Sequence, residues 1–222
     1  MNILNVEKVS KTYGEKQLFD EVTLGVNKGD KIGVIGVNGT GKSTFLKIIA
    51  GLEEADAGQV VKGKGVTVAY LEQKAQFPEK DTILGYVLRG KQHSSEAEAK
   101  TILTKLGITE FDKDIHTLSG GQKKLASIAG ILTLDPELIL MDEPSAALDP
   151  KNRRNLIKIL RSLPCAMLIA SHDLDFIYDT CTRVVLLHEG SVAADGPNER
   201  ILQDGDLLAR CDLELPLRFQ RG

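Results

Sequence analysis

A glycine-rich loop, Gly36–Ser43, constrains the fold of this chain more than any other feature of its sequence. The loop reads GVNGTGKS, follows the apolar stretch 31–35 and precedes a segment, 42–50, with helical character. Glycines allow the backbone to approach phosphate oxygens closely, and N–H groups at a helix N-terminus attract negative charge. The pattern predicts a strand, a phosphate-binding loop and a helix, in which Lys42 contacts the β- and γ-phosphates and Ser43 binds Mg²⁺.

Two acidic residues, Asp142 and Glu143, follow the apolar run Leu138–Met141. Ligands of an open α/β sheet bind at the carboxyl ends of its strands, where these carboxylates are expected to lie. Asp142 is therefore predicted to hold Mg²⁺ through water. Glu143 is predicted to orient or deprotonate the water that attacks the γ-phosphate. An acidic pair that only caps a strand end is the alternative interpretation.

A third motif, Leu118–Gln122 (LSGGQ), directly precedes another predicted helix. Ser119 suits the N-cap position, and the two glycines expose main-chain N–H groups at the helix N-terminus. Within one copy the N–H groups of Ser119 and Gly121 are expected to have no acceptor. The motif is therefore predicted to contact the γ-phosphate held by a second copy, although an ordinary turn would also fit it.

These motifs, in this order, resemble the nucleotide-binding domain of ATP-binding cassette (ABC) proteins over essentially the whole chain, and LSGGQ matches that family's signature motif. The resemblance implies that Tyr13 stacks on adenine and that His172 contacts the γ-phosphate. It also implies that Gln73 joins the Mg²⁺ shell and signals to the partner. The segment Ser145–Asp149 matches the loop that crosses the family's dimer interface.

The motifs and the resemblance together give a set of candidate site residues. The catalytic candidates are Glu143, His172 and Gln73, and the candidate metal ligands are Ser43, Gln73 and Asp142. The candidate nucleotide-binding residues are Tyr13, Asn38, Gly39, Thr40, Gly41, Lys42, Ser43, Thr44, Ser119, Gly120, Gly121 and Gln122. The cofactors that follow are ATP and Mg²⁺, and the activity is hydrolysis of ATP in a head-to-tail homodimer.

Predicted strands alternate with helical stretches along the chain, which indicates an α/β fold with a parallel sheet. A length of 222 residues favours one large domain, or a core with a subdomain, over two full domains. The expected architecture is α/β, with a P-loop NTPase core and an antiparallel β subdomain on its N-terminal side. A helical subdomain is inserted at about 74–133, and a C-terminal tail covers about 197–222.

The charge and the apolar runs limit the expected partners. The net charge of -3 provides no general basic field, so nucleic acid is not an expected partner. The start of the chain lacks the apolar region of a secretory signal, and no apolar run approaches the ~20 residues that span a bilayer. A cytoplasmic protein that reaches the inner face of the membrane through a permease subunit is expected.

The two halves of the chain resemble different branches of the ABC family. Residues 1–115 are similar to ABC-F proteins, which are soluble tandem ATPases that act on ribosomes. Residues 118–222 are similar to the ATPase subunits of cobalt and nickel energy-coupling-factor importers. The favoured function is the energising subunit of an importer. A ribosome-associated ATPase and a chimeric ABC domain without a native partner stay open as alternatives.

Overall fold

The computed structural model describes residues 1–73, 76–89 and 95–220. Their strands are β1 (Asn2–Tyr13), β2 (Lys16–Asn27), β3 (Lys31–Ile35), β4 (Ala57–Lys62), β5 (Val68–Leu71), β6 (Leu138–Asp142), β7 (Ala166–Ala170), β8 (Arg183–His188) and β9 (Ser191–Pro197). Their helices are α1 (Lys42–Ala50), α2 (Ile83–Leu88), α3 (Glu96–Lys105), α4 (Gly120–Leu132), α5 (Pro150–Ser162), α6 (Leu174–Thr180), α7 (Asn198–Leu202) and α8 (Gly205–Arg210). Short 3-10 turns lie at Ile115–Thr117 and Leu217–Phe219.

A six-stranded sheet with the order β5-β6-β7-β3-β8-β9 forms the centre of the fold. The first five of these strands run parallel, and β9 pairs antiparallel with β8. Strands β3 and β6 are separated only by β7, so their carboxyl ends lie at the same edge of the sheet. The glycine-rich loop and the acidic pair therefore meet at that edge, although their nearest residues, Ser43 and Asp142, are 99 positions apart in sequence.

Both faces of the parallel strands are buried, which explains why they are almost continuously apolar. In β6, Ile139 and Met141 join one hydrophobic cluster, which includes residues of α2, α3 and α4. The alternate residues Leu138 and Leu140 join a second cluster, which includes residues of α1, β1 and β2. Covering both faces holds the strand ends, and the loops that follow them, in fixed positions.

A separate three-stranded antiparallel sheet, with the order β2-β1-β4, lies on the N-terminal side. Apolar residues of β1 and β2 pair across it, as in Leu4 with Val26 and Val6 with Leu24. The ring of Phe19, on β2, packs edge-on against Phe45 of α1 at a centroid distance of 5.5 Å. This contact fixes the antiparallel sheet against the helix that follows the glycine-rich loop.

Helices α2, α3 and α4 lie between β5 and β6 in the chain and pack on one another. Together with the antiparallel sheet and the parallel core, they confirm the predicted α/β fold with an antiparallel β subdomain and inserted helices. The domain boundaries drawn from the sequence stay a prediction.

Several elements agree with the sequence analysis, and two were not predicted as separate elements. Helix α2 lies inside the predicted helical subdomain, but its bounds were not predicted because ILGYVL is short, apolar and interrupted by Gly85, so no helical period is visible. Strand β9 was missed because its residues are alternately exposed and half-buried and are mostly small or polar. It exists because β8 offers a free edge for antiparallel pairing. None of the described helices has the length and apolar character needed to cross a bilayer.

Candidate functional site

The glycine-rich loop leaves the carboxyl end of β3 and enters α1, with Gly41 as the N-cap. Gly36 and Gly41 have φ angles of 151° and 88°, which side-chain-bearing residues rarely adopt. A Cβ atom on Gly36 would lie 2.5 Å from the carbonyl oxygen of Leu187, and one on Gly41 would lie 2.7 Å from the Phe19 ring. The loop therefore depends on glycine at both positions for its tight path between β8 and β2.

Lys42, the first residue of α1, points back into this loop. Its Nζ donates to the carbonyl oxygens of Gly36 and Val37 at 2.7 and 3.0 Å, and the residue is 7% exposed. Burial lowers the pKa of Lys42, while the nearby carboxylates of Glu143 and Asp142 act in the opposite direction. A buried ammonium inside a loop of main-chain N–H groups is suited to contact a phosphate.

Asp142, the last residue of β6, is 4% exposed and lines the cleft together with Ser43. Burial raises the pKa of Asp142, and the nearby Ser43 side chain opposes that shift. The structure thus brings together two candidate ligands from separate motifs. Hydroxyl and carboxylate oxygens fit Mg²⁺, which commonly takes one or two protein ligands and completes its shell with phosphate oxygens and water.

Glu143 is held by several hydrogen bonds in an unusual backbone conformation. Its φ angle is +48°, a left-handed value that glutamate adopts only at a cost. Its carboxylate accepts from the Ser171 hydroxyl at 2.8 Å, the His172 main-chain N–H at 3.0 Å and the His172 Nδ1 at 2.8 Å. Because a carboxylate only accepts, Nδ1 carries the hydrogen and Nε2 is the acceptor in the neutral ring.

Many of the predicted residues lie around one cleft. A cavity of about 420 Å³ is lined by Tyr13, Asn38, Gly39, Gly41, Lys42, Ser43, Thr44, Gln73, Asp142 and Glu143, together with Lys16 and Leu18. Thr40 is not among these residues, since its hydroxyl donates to the Val37 carbonyl oxygen and closes the loop on itself. His172 does not line this cavity itself, but it is hydrogen-bonded to Glu143, which does.

The edge of the cleft is formed by Tyr13, whose exposed fraction is 50%. Its hydroxyl donates to Glu53, and the Lys11 ammonium lies 5.4 Å from its ring centroid. Both contacts hold the ring beside the loop without covering it. Lys16 was missed by the sequence analysis, although its Nζ donates to the Gly39 carbonyl oxygen at 3.0 Å. Only its closeness to Tyr13 in sequence could have suggested it.

The signature motif forms a capped helix start and does not line this cleft. Ser119 is the N-cap of α4: its hydroxyl accepts from the Gln122 N–H at 3.3 Å, and its own N–H donates to Gln122 Oε1 at 3.0 Å. The expectation that the Ser119 N–H has no acceptor within one copy is therefore wrong. The two glycines also differ: a Cβ on Gly120 would meet nothing within 4 Å, whereas one on Gly121 would lie 2.7 Å from the Ala147 carbonyl oxygen.

The segment Ser145–Asp149 lies beside the signature motif, because Ala147 is the residue that approaches Gly121. Ala147 has a positive φ of 64°, and Asp149 caps α5 by accepting from the N–H groups of Lys151 and Asn152. Farther along α5, Arg153 forms a two-pronged ion pair with Asp173, which follows His172 in sequence. Within one copy, helix α5 thus connects the segment Ser145–Asp149, which caps its start, to Asp173, the neighbour of His172.

Comparisons with known proteins identify the family. A family profile described as ABC transporter matches residues 19–146. An ABC transporter ATP-binding protein of Gloeobacter violaceus is 37% identical over 221 residues, which cover 90% of this chain and 91% of that protein. This relative aligns across both halves of the chain, so the comparisons do not show a chimera.

Solved structures agree with the sequence relatives. A nucleotide-free ATP-binding cassette from an ABC transporter has a TM-score of 0.81 and 28% identity, with 93% of this chain and 97% of that chain covered. A chain of an inward-facing transporter described as metal-chelate type has a TM-score of 0.82 and 25% identity, with 96% and 89% covered. The chain belongs to the ABC transporter family and is an ABC ATP-binding domain, that is, an ATPase.

Proposed function

We propose that the chain binds MgATP in the cleft of Lys42 and Glu143 and hydrolyses it in a head-to-tail homodimer. The carrying observation is the meeting of Lys42, Ser43, Asp142 and Glu143 at one sheet edge. Lys42 would neutralise phosphate charge, and Ser43 and Asp142 would hold the metal, with Gln73 facing the same cleft. Bound Mg²⁺ would supply further neutralisation of phosphate charge, which leaves positioning and electrostatic stabilisation to the chain's own residues.

Glu143 is proposed to act on the attacking water. A carboxylate that is anchored by Ser171 and His172 has a fixed orientation, which favours in-line placement of a water molecule. His172 holds that carboxylate through Nδ1 and leaves Nε2 for the γ-phosphate, to which it donates when the ring is protonated. These assignments use the chain's own groups in the positions that the cleft gives them.

The biological setting that we propose is the energising subunit of a metal importer at the cytoplasmic face of a membrane. The similarity to a chain of a metal-chelate type ABC transporter supports this setting. A half-buried aromatic pair in the helical region, Phe77 and Tyr86 with centroids 4.9 Å apart, offers an apolar surface for a permease. Cobalt and nickel are the proposed cargo on the sequence resemblance alone.

Contacts of the basic residues near the N-terminus do not favour a ribosome-bound role. Lys11 pairs with Asp56, and Lys31 donates to the carbonyl oxygens of Leu163 and Cys165, whereas Lys8 is an exposed side chain 3.7 Å from the exposed Glu21. The charges of Lys11 and Lys31 are therefore engaged within the chain and contribute less to a surface that could bind a phosphate backbone. The importer setting is therefore the one to test first.

Co-expression with the permease subunit of a cobalt or nickel importer tests the proposed setting. A stable complex that survives purification, with ATP hydrolysis that responds to the permease, is the expected result. Co-sedimentation with ribosomes, and no binding to the permease, would contradict it and favour the ribosome-associated alternative.

Replacing Lys42 with alanine is expected to weaken ATP binding itself, because it removes the charge that the loop holds next to the phosphates. An ion-paired hydrogen bond contributes about 1.5–3 kcal/mol, so the Kd for ATP should rise by roughly 10- to 150-fold. Isothermal titration calorimetry measures this directly. The same ATP affinity in the Lys42→Ala variant and the wild type would contradict the role of the loop.

A further inference from the structure

Lys124 is a buried lysine that the proposed mechanism does not use. It lies on α4, and it is 7% exposed. Its Nζ donates to three main-chain carbonyl oxygens: Gln73 at 2.9 Å, Glu72 at 3.3 Å and Asp142 at 3.4 Å. All three donors of the ammonium are therefore directed at backbone groups of two different strand ends.

These contacts join three parts of the candidate site. Glu72 and Gln73 directly follow β5, Asp142 ends β6, and Lys124 lies four residues after Gly120 on the helix that the signature motif begins. Four residues are about 6 Å along an α-helix, which is slightly more than one turn. The Lys124 side chain thus connects the carbonyl of Gln73, a candidate metal ligand, to helix α4. The start of that helix is the part predicted to contact the nucleotide of a second copy.

Filling space does not account for a charged group at this position. Burial lowers the pKa of Lys124, and the carboxylates of Asp142 and Glu143 oppose that shift. An ammonium is costly to bury, and an apolar side chain of similar length would fill the same volume without that cost. What the lysine adds is three hydrogen bonds that fix the backbone at residues 72–73 against β6 and α4.

We propose that Lys124 is a positioning residue that holds Gln73 toward the nucleotide cleft and links its position to the start of α4. The inference rests on the proposed function, because it concerns the way in which Gln73 meets MgATP. The helix is a rigid element, so a shift of Gln73 is passed to Ser119–Gln122 through one hydrogen-bonded contact. Lys124 itself touches neither the nucleotide nor the metal.

A double-mutant cycle with Gln73 tests this role. In the wild-type background, Lys124→Met is expected to lower kcat by about 10-fold. The KM for MgATP should rise only as far as the contribution of Mg²⁺ to affinity is lost, because the loop at Lys42 is untouched. In a Gln73→Ala background, Lys124→Met should cause little further loss, since the residue that it positions is already gone. A general loss of structure would instead multiply the two effects.

A binding measurement gives a second readout that does not need turnover. Calorimetry with and without Mg²⁺ measures how much the metal improves ATP affinity, and this improvement should shrink in Lys124→Met while metal-free affinity stays the same. Lys124→Gln restores two N–H donors without the charge, so it should recover most of both properties. If Lys124→Met does not fold, Lys124→Gln can replace it in the double-mutant cycle with Gln73.

The adjacent lysine provides a matched control. The Lys123 ammonium lies 5.7 Å from the ring centroid of Phe77, and Lys123→Met should change neither readout. Two outcomes would overturn this inference but leave the proposed function standing. One is a Lys124→Met variant with the kcat and the Mg²⁺ dependence of the wild type. The other is a loss of kcat on Lys124→Met that is as large in the Gln73→Ala background as in the wild type. A wild-type chain that binds no MgATP overturns the proposed function and the inference with it.

Discussion

Replacing Glu143 with glutamine is expected to lower ATP hydrolysis by about 100-fold or more while the Kd for ATP changes little. Glutamine keeps the size of the side chain, and its amide oxygen can still accept from the Ser171 hydroxyl or the His172 N–H. What disappears is the negative charge that orients and deprotonates water. Steady-state phosphate release and calorimetry measure the two quantities separately.

Glu21 offers a matched control for this substitution. It is also a glutamate with a φ angle of 48°, but it lies on β2, is exposed and pairs with Lys8 at 3.7 Å. Glu21→Gln should hydrolyse ATP at the wild-type rate, which separates the role of Glu143 from its backbone strain. Near-normal turnover of Glu143→Gln would contradict the assignment of the catalytic carboxylate.

Adding a glutamate at Gly120 is expected to abolish ATP-driven dimerisation. In the Glu143→Gln background, ATP should convert monomer to dimer because hydrolysis is blocked, and ADP should not because it lacks the γ-phosphate. Gly120→Glu places a negative charge where the partner's γ-phosphate must bind. Two unit charges about 4 Å apart repel each other by about 4 kcal/mol at an effective dielectric of 20. This repulsion occurs at each of the two symmetric sites, so the dimer should be weakened by at least about three orders of magnitude.

The structure determines which glycine to change. A Cβ on Gly121 would lie 2.7 Å from the Ala147 carbonyl oxygen, so a glutamate there would disturb the chain's own fold. A Cβ on Gly120 meets nothing within 4 Å, so its effect on the dimer can be isolated. Gly205 begins α8 just as Gly120 begins α4, and its added Cβ would only reach ordinary contact with Leu215 at 3.6 Å.

Light scattering with ATP and with ADP distinguishes the outcomes. Glu143→Gln alone and Glu143→Gln with Gly205→Glu should dimerise in ATP. The variant with Gly120→Glu should bind ATP yet stay monomeric. If it dimerises as well as Glu143→Gln alone, the signature motif does not act across two copies, and the proposed mechanism is wrong.

Much of the fold could be predicted from local sequence patterns. The strand Lys31–Ile35 and the helix Lys42–Ala50 have the predicted bounds, since glycines with a known preference for turns and helix ends delimit them. The strand Ala166–Ala170 is likewise matched by a short apolar run. Strand β9 was not predictable in this way, because its pairing partner rather than its own composition stabilises it.

The candidate site also combines features that local sequence patterns predict with contacts that they do not. The glycine-rich loop, the acidic pair and the signature motif can be recognised in the sequence, because glycine conformations, strand-end carboxylates and N-caps are local properties of the chain. The bonds that anchor Glu143 to His172 and Ser171, and those by which Lys124 joins Gln73 to Asp142, are visible only in the folded chain. These contacts join residues between 18 and 51 positions apart, and side-chain partners at such distances depend on strand order and burial, which no local pattern contains.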